Sequence, residues 1–532
     1  MPRTAAKRAP RRHPPVRRSP PSFDAGTMAD LLRGADASLA CSLIPEPLLL
    51  FGDKQPYEDP KIGLTALGPY GKTDVTRRTI VRIGVVGPSE AVDRATHLIE
   101  QMASAIAHHP KNDAMLHPGF PGINDQDPFQ VQFVTQPVWC RSLSPAFVAK
   151  VEGHPDFTAR IKLLIDEVAH EVEALAGLDT PPDLVLIAMT AGIEAKCLVG
   201  IAAYDQAQRE ADDDDEPDES AVIEEVNGDD DEGADDEDAP TTARSFRRGL
   251  KAACMHLLPT QLLWHRTLAG TRGVQDLATR AWNLSVALLY KARIIPWRLA
   301  DIIEGSCFVG ISFFHPDDDA ATTRTSVAQA FTHRGEGFVL QGSKFTWKPT
   351  SKERAPHLDR TNARELMERV LKVYKDETDS IPQRLVLHKT SRYTQEEREG
   401  FGEALKDIVN TALVTLSRRG IVCLRPGTKP VLRGTAIGFG EKTGLVYTTG
   451  YVPFLRCYPG FRIPQPLEVT ENWGSLTFRE VAADLLRLTK LNWNTAAFAC
   501  VDPITITFSR RVGEILKIAN TENPSKRYRQ YM

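Results

Sequence analysis

The stretch TIVRIGVVGPSEAVDRATHLIEQM (79–102) decides the fold. Its first nine residues are a β-branched, apolar run closed by Gly87, which reads as a buried strand. Pro88 and Ser89 then open a helix. Ala91, Val92, Ala95, Leu98, Ile99 and Met102 recur at helical spacing, so one face of that helix is apolar. A strand feeding straight into an amphipathic helix is a β–α unit. The alternation continues through VQFVT (131–135), a helix over 157–176 and DLVLIAMT (183–190), which predicts a Rossmann-like α/β layer. The Gly-rich fingerprint of a dinucleotide site is missing.

From Ser245 the pattern turns helical, in SFRRGLKAACMHLL and QDLATRAWNLSVALLYKAR. A second α/β region follows Pro296. Strands are predicted at CFVGISFF (307–314), RLVLHK (384–389), GIVCLR (420–425) and TGLVYTTGY (443–451), with a hairpin at 337–347. Helices are predicted at 363–377, 396–416 and 481–492. PITITF (503–508) reads as a closing strand, followed by a helix. The expected organisation is a basic disordered tail (1–27), an N-terminal linker (28–78), a first domain (79–295) and a second (296–532), with ordered sequence from near Leu43. Met28 offers an alternative start.

Composition narrows the function. No apolar run is long enough to span a bilayer, and the N-terminus lacks a signal-peptide core. The eight cysteines are scattered without a CxxC pair, which points away from zinc and disulfides and toward a reducing cytoplasm. The net charge of −4 hides an asymmetry. Glu210 to Asp238 holds 18 acidic residues and no Lys or Arg, so the rest of the chain is basic. The acidic block (208–242) is expected to be a solvated, disordered surface insertion. A basic body fits a polyanionic partner.

One group of residues suits a phosphate. Arg247 and Lys251 are four apart and share a helix face, with Arg248 beside them. Gln261 follows, and Lys291 ends an amphipathic helix. Cations and an amide converging in space clamp a phosphate through charge-assisted hydrogen bonds. The alternative reading is a solvated basic helix face.

The segments EPLLLFG, GPYG, FRRGLKA, LPTQ, NLSVALLYKARIIPW, CFVGISFF, LVLHKTSRY, LRGTA, LTKLNWN, PITITF and the terminal YM stand in this order. Through them the chain from about Glu46 to Met532 resembles the short prokaryotic Argonautes, built of MID and PIWI domains alone. The resemblance implies a Rossmann-like MID domain followed by a ribonuclease-H-like PIWI domain. It matches Lys251, Gln261 and Lys291 to the residues that hold a guide's 5′-phosphate. Arg247 stands where the family often stacks a Tyr on the first base. The C-terminal carboxylate of Met532 matches the chain end that, in several Argonautes, helps bind Mg²⁺ between guide phosphates.

The resemblance also implies a PIWI domain that does not cut. Slicing Argonautes hold two metal ions with carboxylates at strand ends. At the matching positions stand Ser312 and Lys389, the latter flanked by His388, and PITITFSRRV offers no Asp, Glu or His. Glu353 and Glu365 fall in the interval of the family's mobile Glu. The expected role is a guide-loaded sensor with no enzymatic activity of its own. It would carry a short guide, RNA by expectation, and recognise a single-stranded DNA target. Its partner would be an APAZ protein with a TIR, sirtuin-like or nuclease effector, assembling further on activation. The rival is an active nuclease using Asp301, Glu304 and Asp502, and a third reading is a structural partner that binds no guide.

Overall fold

The computed structural model describes residues 39–197, 245–271, 273–314, 323–332, 337–346, 355–418, 421, 427–460, 463–519, 521 and 523–532, with the backbone alone for 39 and 323–329. The basic tail, the acidic insertion, Glu353 and most of GIVCLR lie outside them. The chain opens with strands β1 (Leu39–Leu43), β2 (Leu49–Phe51) and β3 (Gln55–Tyr57) and helix α1 (Pro60–Leu67). The first α/β layer then runs β4 (Ile80–Pro88), α2 (Ser89–Met102), β5 (Gln132–Val134), β6 (Cys140–Leu143), α3 (Pro145–Glu152), α4 (Phe157–Ala176), β7 (Leu184–Ala188) and α5 (Ala191–Cys197). It closes with α6 (Phe246–Cys254), β8 (Thr260–Leu263), α7 (His265–Ala269) and α8 (Leu277–Lys291).

The layer's sheet has the order β5-β4-β7-β8, with β6 also on β4, and every pairing is parallel. β7 is buried at all five residues, as a strand covered on both faces must be. α8 is buried nearly all round, so it works as a spine between the two halves of the molecule. Asp276 caps it, accepting from the Ala278 and Thr279 amides at 3.0 and 3.2 Å. Trp282 packs edge-on against Phe120, and Asn283 Oδ1 accepts from Thr495 Oγ1 and the Ala496 amide, both at 2.9 Å. Tyr290 stacks on Trp493 at 4.5 Å. These contacts fix the last turn of α8, where Lys291 sits.

The second region contains β9 (Arg298–Leu299), β10 (Ser306–Phe314), β11 (Thr323–Thr332), β12 (Gly337–Thr346), α9 (Arg360–Thr378), β13 (Arg384–Lys389), α10 (Gln395–Ala404) and β14 (Asn410–Ser417). β15 (Thr435–Phe439), β16 (Thr443–Val446), β17 (Leu467–Gly474), α11 (Phe478–Leu488), α12 (Ile504–Ala519) and a 3₁₀ turn (Tyr528–Gln530) complete it. One nine-stranded sheet runs β1-β15-β16-β17-β14-β13-β10-β11-β12. Its centre, β10, β13 and β14, is parallel, and its flanks are antiparallel.

Four expectations are corrected. The segment read as a linker is structural: β1 joins the large sheet beside β15, and β2 pairs with β9. Order therefore begins before Leu43. Residues 337–346 form one strand paired with β11, not a hairpin: Gly342 sits at a register shift in that ladder, where the strand bulges rather than turns. The long helix predicted to reach 416 stops at Ala404, and NTALVTLS becomes the central strand β14. Short apolar runs are ambiguous between strand and helix, and here sheet pairing decides.

PITITF is the fourth correction. It opens helix α12, although Ile and Thr alternate like a strand. Ile504, Thr505, Phe508, Ser509, Val512, Ile515 and Leu516 are buried, a stripe of helical period facing β10. Tertiary packing outweighs the modest β preference of these residues. Gly310 on β10 permits the crossing: a Cβ there would sit 1.9 Å from the Thr505 carbonyl oxygen. Among the described residues no helix is long and apolar enough to cross a membrane.

Candidate nucleic-acid-binding site

β8 and the ends of α6 and α8 build a cationic pocket. Ser245 caps α6, and the helix turns Phe246, Gly249, Leu250, Lys251 and Cys254 inward. Lys251 Nζ donates to the carbonyl of Thr260 on β8. On the next residue, Gln261 Oε1 accepts from Lys291 Nζ. Both lysines are buried, at 3% and 1% exposure. Arg247 bears on both ammonium groups. The structure thus brings Arg247, Lys251, Gln261 and Lys291 together.

These cations are held at a cost. Burial, then the charges of Lys291 and Arg247, hold the Lys251 ammonium well below its usual range. Burial and Arg247 lower Lys291 to about 7. A buried ammonium without a counter-ion sheds its proton rather than stay charged. An arriving phosphate supplies the counter-ion, so binding must take up protons. Affinity for a terminal phosphate is therefore expected to fall as pH rises above about 7, roughly tenfold per pH unit for each lysine recharged. Titration of a 5′-phosphorylated oligonucleotide between pH 6.5 and 9 checks this; a 5′-hydroxyl oligonucleotide should show little dependence. In the free protein the same shifts make stability rise with pH over this window, because the unfolded chain binds more protons.

Arg248 points elsewhere. It pairs with Glu514 on α12 at 2.6 Å and ties the first layer to the second region. The Met532 side chain is buried in the main core. The side chains converging on the pocket are cations and amides, which suit phosphate oxygens directly. Of these side chains only Gln261 offers an oxygen of the kind a Mg²⁺ ion takes, and Lys291 Nζ already donates to it.

Sequence reasoning missed Tyr528, three residues before the terminal pair it singled out. Its ring packs on Phe508 at 4.6 Å, and its buried hydroxyl has no hydrogen-bond partner. Burial keeps that hydroxyl protonated, so it remains a donor. Tyr290, Arg511, Cys500 and Arg247 all bear on it. Arg511, Cys500 and Phe508 line a cavity of about 370 Å³ between α12 and the segments around residues 448–465 and 492–502. Tyr528 therefore touches both Phe508, which lines that cavity, and Tyr290, next to Lys291 of the pocket.

At the centre of the large sheet the structure separates the two degenerate positions. Gly310 is in register with His388, and side chains alternate along a strand. Ser312 and His388 therefore share one face, and Lys389 takes the other. Ser312 Oγ donates to the Ser509 carbonyl at 2.6 Å, and His388 Nδ1 lies 2.8 Å from Thr505 Oγ1, both on α12. Burial, then Arg384, lowers His388 to about 3, so the ring is neutral. Lys389 points to the α9–α10 side and meets both Glu397 oxygens at 2.7 Å. It is an ion pair of the scaffold, and the residue that shares the face of Ser312 is His388.

The rival carboxylates stand apart. Asp301 and Glu304 are exposed before β10, at the strand end remote from Ser312. Asp502 pairs with Arg418 at 2.7 Å. Glu365 lies on α9. Among the described residues no three His, Cys, Asp or Glu side chains group as metal ligands.

Solved structures share this architecture. Clostridium butyricum Argonaute bound to a guide DNA and a 19-mer target DNA matches with a TM-score of 0.56 at 13% identity, over 92% of this chain and 54% of that one. A. aeolicus Argonaute matches with 0.55 at 14% identity, over 93% and 55%. The chain spans about half the length of these structures. No protein-family model matches it, and no curated protein matches it in sequence. The chain therefore has the Argonaute fold: a Rossmann-like MID layer followed by a ribonuclease-H-like PIWI sheet.

Proposed function

We propose that the chain is a guide-dependent nucleic-acid sensor. Its MID pocket anchors the 5′-phosphate of a short guide, RNA by expectation, and its PIWI side holds the guide paired with single-stranded DNA. One observation carries the reading. Lys251 and Lys291 lie buried at one strand, and among the described residues no carboxylate bears on either. Such a pair is a poor structural device and a good terminal-phosphate clamp. The guide's first nucleotides run past Tyr528 toward the cavity lined by Arg511.

Target recognition by this chain involves no cutting. The face where two metal ions would need carboxylates carries the neutral pair Ser312 and His388 instead. The consequence of recognition belongs to a partner. In line with the MID–PIWI-only Argonautes, that partner is an APAZ protein carrying a TIR, sirtuin-like or nuclease effector in a prokaryotic defence system, with further assembly on activation.

The test uses purified chain, a phosphorylated guide and a complementary target in Mg²⁺ or Mn²⁺. Guide-dependent retention of an intact target is expected. Site-specific cuts that disappear in His388→Ala would sink the sensor reading.

A further inference from the structure

Four arginines from three separate parts of the chain meet beside the phosphate pocket. Arg293 follows α8 by two residues, exposed and in the left-handed region at φ 68°. Arg529 sits on the 3₁₀ turn next to Tyr528, and its Nε is buried without a hydrogen-bond partner. Arg527 is exposed and pairs by its backbone with Phe338. Arg78, at the edge of the first layer, pairs with Asp183. The charges of Arg293, Arg527 and Arg78 all bear on Arg529. Asp183 is the carboxylate that faces Arg293, and it is already engaged by Arg78 and Arg82.

The turn is not loosely placed. Tyr528 is clamped between Phe508 and Phe331, and Gln530 Nε2 donates to the Leu257 carbonyl at 3.5 Å. The fold therefore gathers like charges at a fixed spot and leaves them short of counter-charge. Burial and these neighbours lower even Arg529, to about 10. Arginine's planar fork suits phosphodiester oxygens, and the pocket one turn away fixes where a guide begins.

We propose that Arg78, Arg293, Arg527 and Arg529 form a second nucleic-acid contact, which grips the target strand where it runs past the guide's 5′ end. This rests on the guide-anchoring reading above. The strands are antiparallel, so those nucleotides are the target's 3′ flank. The contact is to the backbone and carries no sequence preference. It lets the protein favour a site inside a long strand over one at a strand end.

The experiment compares two targets on guide-loaded full chain: one flush with the guide's 5′ end, and one with a single-stranded 3′ extension of about six nucleotides. The extended target is expected to bind about tenfold tighter at moderate salt. Its salt slope should be steeper by about 0.7 for each phosphate neutralised. Arg527→Gln/Arg529→Gln should erase the gain and leave the flush target unchanged, which also reports that the variant is folded. The surface variant Arg293→Gln should lose part of the gain. An extension that gives the wild type nothing, or a gain that survives in the double variant, would overturn the proposal. Absence of guide-dependent binding to the flush target would instead remove the guide reading and this contact with it.

Discussion

Lys251→Ala/Lys291→Ala is expected to weaken binding of a 5′-phosphorylated guide by at least about 100-fold. Each lysine offers a charge-assisted hydrogen bond worth roughly 1.5–3 kcal/mol once a phosphate is present. Two such bonds lost together make several kcal/mol, and each 1.4 kcal/mol is tenfold in affinity. The wild type should lose a similar factor when the guide's phosphate is replaced by hydroxyl, and the variant should no longer distinguish the two guides. Competition binding with both guides measures this directly. Truncating two buried side chains leaves cavities, so Lys251→Met/Lys291→Met, which keeps the volume, should show the same loss of phosphate preference with a better-preserved melting curve. Lys291→Met should even raise the melting temperature by a few degrees, since it removes a buried ionisable group and keeps the volume. A double variant that still prefers the phosphorylated guide would place the anchor elsewhere.

The second large effect concerns Lys389. Glu397→Ala is expected to destabilise the chain by about 3–5 kcal/mol, the usual result of stripping one partner from a buried ion pair. The melting temperature should drop by roughly 10 °C for a unit of this size. Glu397 has several duties: it takes Lys389 at 2.7 Å, it accepts from the Leu358 and Thr394 amides at 3.2 and 3.0 Å, and it closes the capping box of α10 with Thr394. Burial raises its carboxyl, but His357, Lys389 and the Thr394 amide together bring it below the usual range. Its stabilisation is therefore present above the unfolded value of 4.5 and lost as pH falls through the lower folded value.

Lys389→Met should cost less than Glu397→Ala, because Glu397 keeps its amide donors and His357. Guide affinity should not change in either variant. A selective loss of guide binding in Lys389→Met, with the melting curve intact, would return Lys389 to the nucleic-acid interface.

Much of the fold was legible because its elements have strong periods. The helix over 157–176 and the strands at 80–88 and 384–389 appear where periodicity and β-branching put them. The errors fall where apolar residues are short in number and ambiguous in period. ITIT became a helix because β10 leaves room at Gly310 for α12 to cross, a fact held by another part of the chain. NTALVTLS became a strand because β13 and β17 flank it on both sides. Leu39–Leu43 became an edge strand because β15, nearly 400 residues on, offers it a partner.

By itself the sequence determined the β–α alternation, the charge asymmetry and the residue types that make up the cationic pocket, because each is a matter of local period or composition. Only the tertiary structure decided which of them meet. Sheet register, which flips a side chain to the opposite face with each residue, put His388 and not Lys389 on the face of Ser312. Chain closure brought Tyr528 and Arg529 to the end of α8, a contact that no local pattern encodes because its energy lies in surfaces far apart in sequence.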